Sequence, residues 1–143
     1  MTGFWGGSAD ATAVDRNTGT PLGFDMNCTL NWSFTSQSEG TFAGRMSSDG
    51  QSPDSDFRCS YSGQVSGLLQ PDGSLSLRFD PPWRPSGCSN GEGSDTMTGR
   101  MTGNDTFSVT SSGSATCRML RGSTDPAHIR DVNYTMTASG RRR

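Results

Sequence analysis

The sequence predicts an all-β protein, namely an antiparallel up-and-down (meander) barrel of 8–9 strands, with a two-sheet β-sandwich as the alternative. Large apolar residues occupy every even position from 22 to 34 and small or polar residues every odd one, as in a strand with one buried face. Only 29% of residues are hydrophobic and 19 are glycine, which suits half-exposed strands joined by many turns. Since the 143 residues show no break in composition, we expect a single domain, 1–143.

Alternation and turn residues together place the individual strands. They predict strands over residues 4–14, 22–35, 41–47, 56–67, 73–80, 95–102, 105–110, 114–121 and 131–138. Short turns rich in Gly, Asn and Asp separate most of them, at 37–40, 49–50, 71–73, 103–105 and 112–113. Links this short require antiparallel neighbours, and pairing of the first strand with the last would remove the open edges. The proline-rich stretch from Asp80 to Ser94 is incompatible with a central strand, and we expect it to form a flap over one end of the barrel.

The apolar positions of these strands define a set of inward-facing aromatic and methionine side chains. The residues expected to line the barrel interior are Trp32, Phe34, Phe42, Met46, Phe57, Tyr61, Phe79, Met97, Met101, Phe107, Met119 and Tyr134. A barrel of this size is wide enough either to fill with its own side chains or to hold one small molecule. Because methionine adapts its shape to a guest, this lining is compatible with a cavity for a small apolar ligand and equally with a packed core.

The four cysteines, Cys28, Cys59, Cys88 and Cys117, are expected near one rim of the barrel. No C-x-x-C spacing occurs and His128 is the single histidine, so the pattern does not indicate zinc, and we expect neither metal nor cofactor. Disulfides are favoured over buried free thiols, and of three connectivities we favour Cys28–Cys59 with Cys88–Cys117. Disulfides would place the protein outside the cytoplasm, secreted or otherwise extracytoplasmic.

Charge and sequence motifs restrict the partners. The net charge of −2 gives no basic surface for nucleic acid, and the basic cluster Arg141 to Arg143 is expected to be a solvated tail. No run approaches the roughly 18 apolar residues of a membrane-spanning helix. Any export signal would be missing from this chain, whose N-terminus carries no basic segment followed by an apolar one. Four asparagines stand in N-x-S/T sequons and are possible glycosylation sites: Asn27, Asn31, Asn104 and Asn133.

The segment Gly3-Phe4-Trp5 opens the first strand with the G-x-W pattern, and the chain thereby resembles the lipocalin and avidin-like barrels, or calycins. The resemblance implies that Trp5 closes the barrel floor beneath an arginine from a late strand, which would be Arg121 or Arg141. The chain also resembles uncharacterised secreted barrel proteins of bacteria, on segments such as 40–44 and 61–67.

Catalytic residues are scarce in this sequence. His128 lies in a polar loop, and the two glutamates, Glu39 and Glu92, lie in turns, so we expect no enzymatic activity. The prediction is therefore a binding protein that holds a small apolar ligand in the barrel. The alternative is a structural or adhesive subunit of an extracellular assembly, which would self-associate by exchanging the terminal segments 1–7 or 127–143.

Overall fold

The computed structural model describes residues 1–22, 28–50, 60–83, 88–92, 95–120 and 123–143. Within these ranges the chain is all-β, with one short 3-10 helix at Pro126–His128. The strands are β1 Gly3–Asp15, β2 Pro21–Leu22, β3 Cys28–Ser36, β4 Thr41–Asp49, β5 Tyr61–Leu69, β6 Ser74–Asp80, β7 Cys88–Glu92, β8 Thr96–Met101, β9 Thr106–Arg118 and β10 Ile129–Arg142.

Eight of the strands close into an antiparallel barrel in the order β1-β3-β4-β5-β6-β8-β9-β10. Closure depends on β10, which pairs with β9 on one side and with β1 on the other, where Ala9 lies opposite Ala138. This confirms the predicted barrel rather than the β-sandwich. A closed cylinder leaves none of these eight strands as a long unpaired edge.

Side-chain alternation sorts residues between core and solvent as the sequence predicts. In β3, Leu30, Trp32 and Phe34 are at most 4% exposed, whereas Thr29 and Asn31 between them are exposed. Side chains on a strand point alternately to its two faces, so one face of β3 lines the barrel and the other meets water. Residues 23–27 of the predicted alternation lie outside the described residues.

The two ends of the barrel differ in their connections. Tight hairpins join β3 to β4, β5 to β6 and β8 to β9 at one end, here called the hairpin end; Glu39, Gly40 and Gly73 adopt positive φ there. The connections β1–β3, β4–β5, β6–β8 and β9–β10 are longer, and the strand ends that they join all lie at the other end, here called the long-loop end.

Strand β9 corrects one prediction. The sequence predicts two strands, 105–110 and 114–121, separated by a turn at Ser112-Gly113, but β9 runs unbroken from Thr106 to Arg118. It pairs with β10 along its whole length, from Thr106 opposite Arg141 to Arg118 opposite Ile129. A continuous ladder with a long neighbour outweighs the local turn preference of Ser and Gly.

The proline-rich stretch Asp80 to Ser94 corrects another prediction, because it is not purely a flap. It contains β7, which pairs with the long-loop half of β9, while β8 pairs with the hairpin half. The prolines Pro81 and Pro82 precede this strand, where they remove no ladder hydrogen bond. Trp83, next to them, is buried at 4% exposure.

The C-terminus also differs from its prediction. Arg141 to Arg143 are exposed, but they do not form a separate solvated tail, because β10 continues to Arg142. The Arg143 amide donates a hydrogen bond to the carbonyl oxygen of Phe4 at 2.9 Å, and its guanidinium donates to the Oδ1 of Asn31. The last strand is thus held against the first from Val132 to Arg142.

Candidate functional site

The interior of the barrel is the candidate site, and most residues predicted to line it lie there. The buried ones are Trp32, Phe34, Phe42, Met46, Phe79, Met97, Phe107 and Tyr134, each at most 4% exposed. Tyr61, Met101 and Met119 are half-buried and pack against this core. Phe57 lies outside the described residues.

An aromatic cluster fills the hairpin half of the barrel. The Phe34 ring contacts Phe42 edge-to-face at 5.1 Å between centroids, and Phe107 contacts Trp5 at 5.5 Å and Trp32 at 5.4 Å. Rings packed at these distances and tilts gain attraction beyond the burial of their area. This half of the barrel is therefore a packed core. It matches the second interpretation of the lining residues, in which side chains fill the interior and no ligand is bound.

Trp5 is buried at the hairpin end of β1, where it is predicted to close the barrel floor. It is 1% exposed, and its indole N–H donates to the carbonyl oxygen of Thr2 at 3.0 Å. The guanidinium over its ring, 5.0 Å from the centroid, belongs to Arg142, its direct partner in the β1–β10 register. This differs from the prediction, since Arg141 pairs with Gly6 instead and Arg121 lies outside the described residues. Which arginine stacks is decided by register.

A second aromatic group lies towards the long-loop end. Phe79 contacts Trp83 at 5.7 Å and Tyr61 at 6.1 Å between centroids, and Tyr61 contacts Trp83 at 6.1 Å. The Tyr61 hydroxyl donates to the carbonyl oxygen of Pro81, which ties β5 to the segment that carries Trp83. Burial, with the Asp80 carboxylate nearby, raises the pKa of the Tyr61 phenol above its usual value.

Five buried alanines line the part of the barrel wall formed by β9, β10 and β1. We call this surface the alanine wall; its residues are Ala9, Ala11, Ala13, Ala115 and Ala138, each at most 4% exposed. In the strand order these three strands lie across the barrel from β4, β5 and β6, which carry Met46, Val65 and Phe79. The same three strands also carry large buried side chains, with Tyr134 opposite Ala13 and Met136 opposite Ala11, so the alanines are the small members of a mixed wall.

Sequence reasoning missed part of this surface. In β1, Ala9, Ala11 and Ala13 alternate with Ser8, Asp10 and Thr12, which is the same period-two signal that predicted the other strands. Alanine carries little weight in such a reading because it is common on both faces. Trp83 was also missed, since its place among prolines indicated only a loop.

Two buried indole N–H groups have no hydrogen-bond acceptor among the described residues: the Nε1 atoms of Trp32 and Trp83. Both residues are at most 4% exposed, and their rings flank Phe79, at 6.1 Å and 5.7 Å between centroids. A buried donor without a partner costs about 1–3 kcal/mol, and buried tryptophans usually find an acceptor.

Charged side chains contribute little to the described interior. Asp15, 6% exposed at the end of β1, accepts hydrogen bonds from the backbone amides of Asn17 at 2.8 Å and Thr18 at 3.2 Å. Every described arginine is exposed. The described residues include no group of three or more His, Cys, Asp or Glu side chains that could hold a metal ion.

His128 is engaged in a loop contact. Its Nδ1 lies 2.6 Å from the Oγ of Ser123, and that oxygen also accepts from the Asp125 amide at 3.1 Å. The Asp125 carboxylate in turn accepts from the Ala127 amide at the start of the 3-10 helix. These bonds shape the connection between β9 and β10.

The outer surface carries grooves of a different character. One, of about 750 Å³, crosses β4, β5 and β6 and is lined by polar side chains such as Arg45, Gln64 and Arg78. Arg78 lies 3.5 Å from the Asp95 carboxylate, and both are exposed. Apolar residues, among them Ala43, Val65 and Pro82, line the groove as well.

The sequon asparagines keep their predicted accessibility. Asn31, Asn104 and Asn133 are exposed, and Asn104 lies in the hairpin between β8 and β9. Asn27 lies outside the described residues. Glycosylation at these positions stays a prediction.

The disulfide Cys88–Cys117 confirms one of the two predicted pairings. The two residues lie directly opposite each other in the β7–β9 register, with their Cα atoms 4.1 Å apart. Cys28 is buried and is also disulfide-bonded, while its predicted partner, Cys59, lies outside the described residues.

Comparisons with known proteins support the fold alone. No protein-family model matches the chain, and no curated protein matches it. A similar solved structure is EF1p2_mFAP2b bound to DFHBI, with a TM-score of 0.51 and 11% sequence identity, over 99% of this chain and 93% of that chain. This similarity supports the barrel architecture, while membership of the calycins stays a prediction. In the described part of the chain, no helix has the length and apolar character needed to span a bilayer.

Proposed function

We propose that the protein is an extracytoplasmic binding protein that holds a small, largely apolar ligand inside the barrel, between the alanine wall and the aromatic side chains facing it. The proposal rests on one observation, the five buried alanines of the alanine wall. Each of these alanines projects only a single methyl group, so these positions occupy less of the interior than large side chains would, with Tyr134 and Met136 lying beside them.

The chemistry of the walls defines the ligand in general terms. The methyl groups of the alanine wall and the rings of Trp32, Phe79 and Trp83 favour an apolar, flat molecule. The similar structure is bound to DFHBI, which supports a ligand-binding role for a chain of this fold.

The extracytoplasmic location is supported by the disulfides. Cys88–Cys117 and the disulfide-bonded Cys28 would be reduced in most cytoplasms and persist in oxidising compartments.

The alternative function, a subunit that exchanges strands, has less support. The terminal segments that exchange would use are paired within the barrel, where Trp5 lies opposite Arg142 and β10 pairs with β9. Such a subunit would have to open this pairing in order to assemble.

Equilibrium dialysis against 2-ethylnaphthalene, a small neutral hydrocarbon, tests the proposed function. We expect saturable binding with one molecule per chain. The variant Ala11→Leu adds three carbons to the alanine wall and should weaken binding by about tenfold or more, because the larger side chain occupies the ligand's place.

The matched control is Thr12→Leu, the neighbouring residue of β1, whose side chain is exposed on the outer face. It should leave the affinity unchanged. If instead the interior is simply packed, no naphthalene will bind and Ala11→Leu will lower the free energy of unfolding by about 1–3 kcal/mol through overpacking. That pair of results would overturn the proposal, as would a native mass spectrum showing polymers without bound molecules.

A further inference from the structure

The free indole N–H groups of Trp32 and Trp83 bear on the ligand's chemistry. Each is a hydrogen-bond donor, buried, and without an acceptor among the described residues. Trp5 provides the internal comparison, because its buried N–H is satisfied by the Thr2 carbonyl. The indole N–H groups without an acceptor are thus those of Trp32 and Trp83, whose rings neighbour Phe79, whereas that of Trp5 has one.

The charges around these donors restrict the acceptor further. All described arginines are exposed, and the buried polar side chains of the described core are Asp15 and Ser48, so no described cation is placed to neutralise an anion. A carboxylate buried there would lose its hydration without gaining an opposite charge. A neutral carbonyl oxygen would accept from an indole N–H without that cost.

We propose that the barrel selects neutral, flat ligands that carry a carbonyl-type acceptor, in preference to acids and to hydrocarbons of the same shape, with Trp32 Nε1 as a donor. This inference rests on the proposed function and names its ligand class. Trp83 Nε1 offers a second donor, on a ring 5.7 Å from Phe79 between centroids.

Three naphthalenes of similar size separate the alternatives: 2-acetylnaphthalene has a neutral carbonyl, 2-ethylnaphthalene has none, and 2-naphthoate has a carboxylate. Dialysis should show 2-acetylnaphthalene binding about 3- to 10-fold more tightly than 2-ethylnaphthalene, as expected for one net hydrogen bond. The acid should bind most weakly of the three.

The substitution Trp32→Phe keeps an aromatic ring and removes the N–H, so it should bring the ratio of the two neutral affinities close to one. Trp5→Phe is the matched control, because that indole already has a partner, and it should keep the ratio of the parent protein. Thermal unfolding of both variants establishes that they are folded.

The outcomes distinguish this inference from the proposed function. Absence of binding by all three compounds overturns both. Equal binding of the two neutral compounds, or tightest binding of the acid, overturns the acceptor preference and leaves the apolar site standing. If Trp32→Phe leaves the ratio of the affinities for 2-acetylnaphthalene and 2-ethylnaphthalene unchanged, another group causes the preference for the carbonyl. That result overturns the role of Trp32.

Discussion

At the scale of single residues, large rings in this barrel lie over glycines of neighbouring strands. Phe42 lies directly opposite Gly67, and a Cβ built on Gly67 would come within 2.2 Å of the Phe42 ring. Phe107 and Gly140 repeat this arrangement across β9 and β10, also at 2.2 Å. The missing side chain makes room for the ring of its partner.

Gly67→Ala should therefore lower the free energy of unfolding by about 1–3 kcal/mol, because Phe42 must leave its place in the aromatic cluster. Urea denaturation measures the loss. Gly103→Ala is the control: a Cβ there meets the flexible side chain of Thr106 at 3.1 Å, and we expect a change within about 0.5 kcal/mol. Equal losses in the two variants would contradict the packing argument.

At the scale of elements, β7 depends on β9. It pairs with β9 on one side, and Cys88–Cys117 ties the two strands covalently. The cross-link spans 29 residues of chain, so it restricts the unfolded ensemble substantially. It also holds Cys88, five residues after Trp83, against the long-loop half of β9.

The double variant Cys88→Ala with Cys117→Ala should unfold at lower guanidinium concentration, with a loss of about 2–4 kcal/mol from the chain-entropy estimate. The parent protein under reducing conditions is not an adequate comparison, because Cys28 is disulfide-bonded as well. A loss below about 0.5 kcal/mol would mean that this bond contributes little to holding β7.

At the scale of the whole molecule, closure of the barrel joins the two ends of the chain. The Arg142 guanidinium lies over the Trp5 ring and 3.2 Å from the Asp105 carboxylate, so one side chain of the last strand contacts the first strand and the β8–β9 hairpin. Both charges of this ion pair are largely exposed, and we therefore assign it a modest energy.

Arg142→Ala should lower stability by about 1–2 kcal/mol, from the loss of the cation–π contact and the ion pair together. Arg141→Ala, one residue earlier and opposite Gly6, should change it by less than about 0.5 kcal/mol. Chemical denaturation of the two variants side by side makes the comparison. A larger effect at Arg141 would contradict the assignment of the floor to Arg142.

Much of the fold was predictable from the sequence because it depends on a local property. Whether Leu30, Trp32 and Phe34 share a face follows from side-chain alternation within a single strand, and no other part of the chain is needed to establish it. Short turns likewise imply antiparallel neighbours. The antiparallel meander and most of its buried residues follow from these two rules.

The candidate site was predictable only in part, because local alternation does not show which strands face each other across the barrel. The aromatic residues stood out, whereas Ala9, Ala11 and Ala13 become informative only when β1 is seen across the barrel from β6. The sequence also does not reveal that the N–H groups of Trp32 and Trp83 lack acceptors among the described residues, because an acceptor can come from any strand.

The sequence by itself thus determined which faces are apolar and that neighbouring strands pair antiparallel, while the pairing of β10 with β1 decided between barrel and sandwich. The tertiary structure alone decided that β9 continues through Ser112-Gly113, that Arg142 covers Trp5, and that the alanines form one wall. The physical reason is register. Contacts between strands depend on how distant segments align, and local alternation carries no information about that alignment.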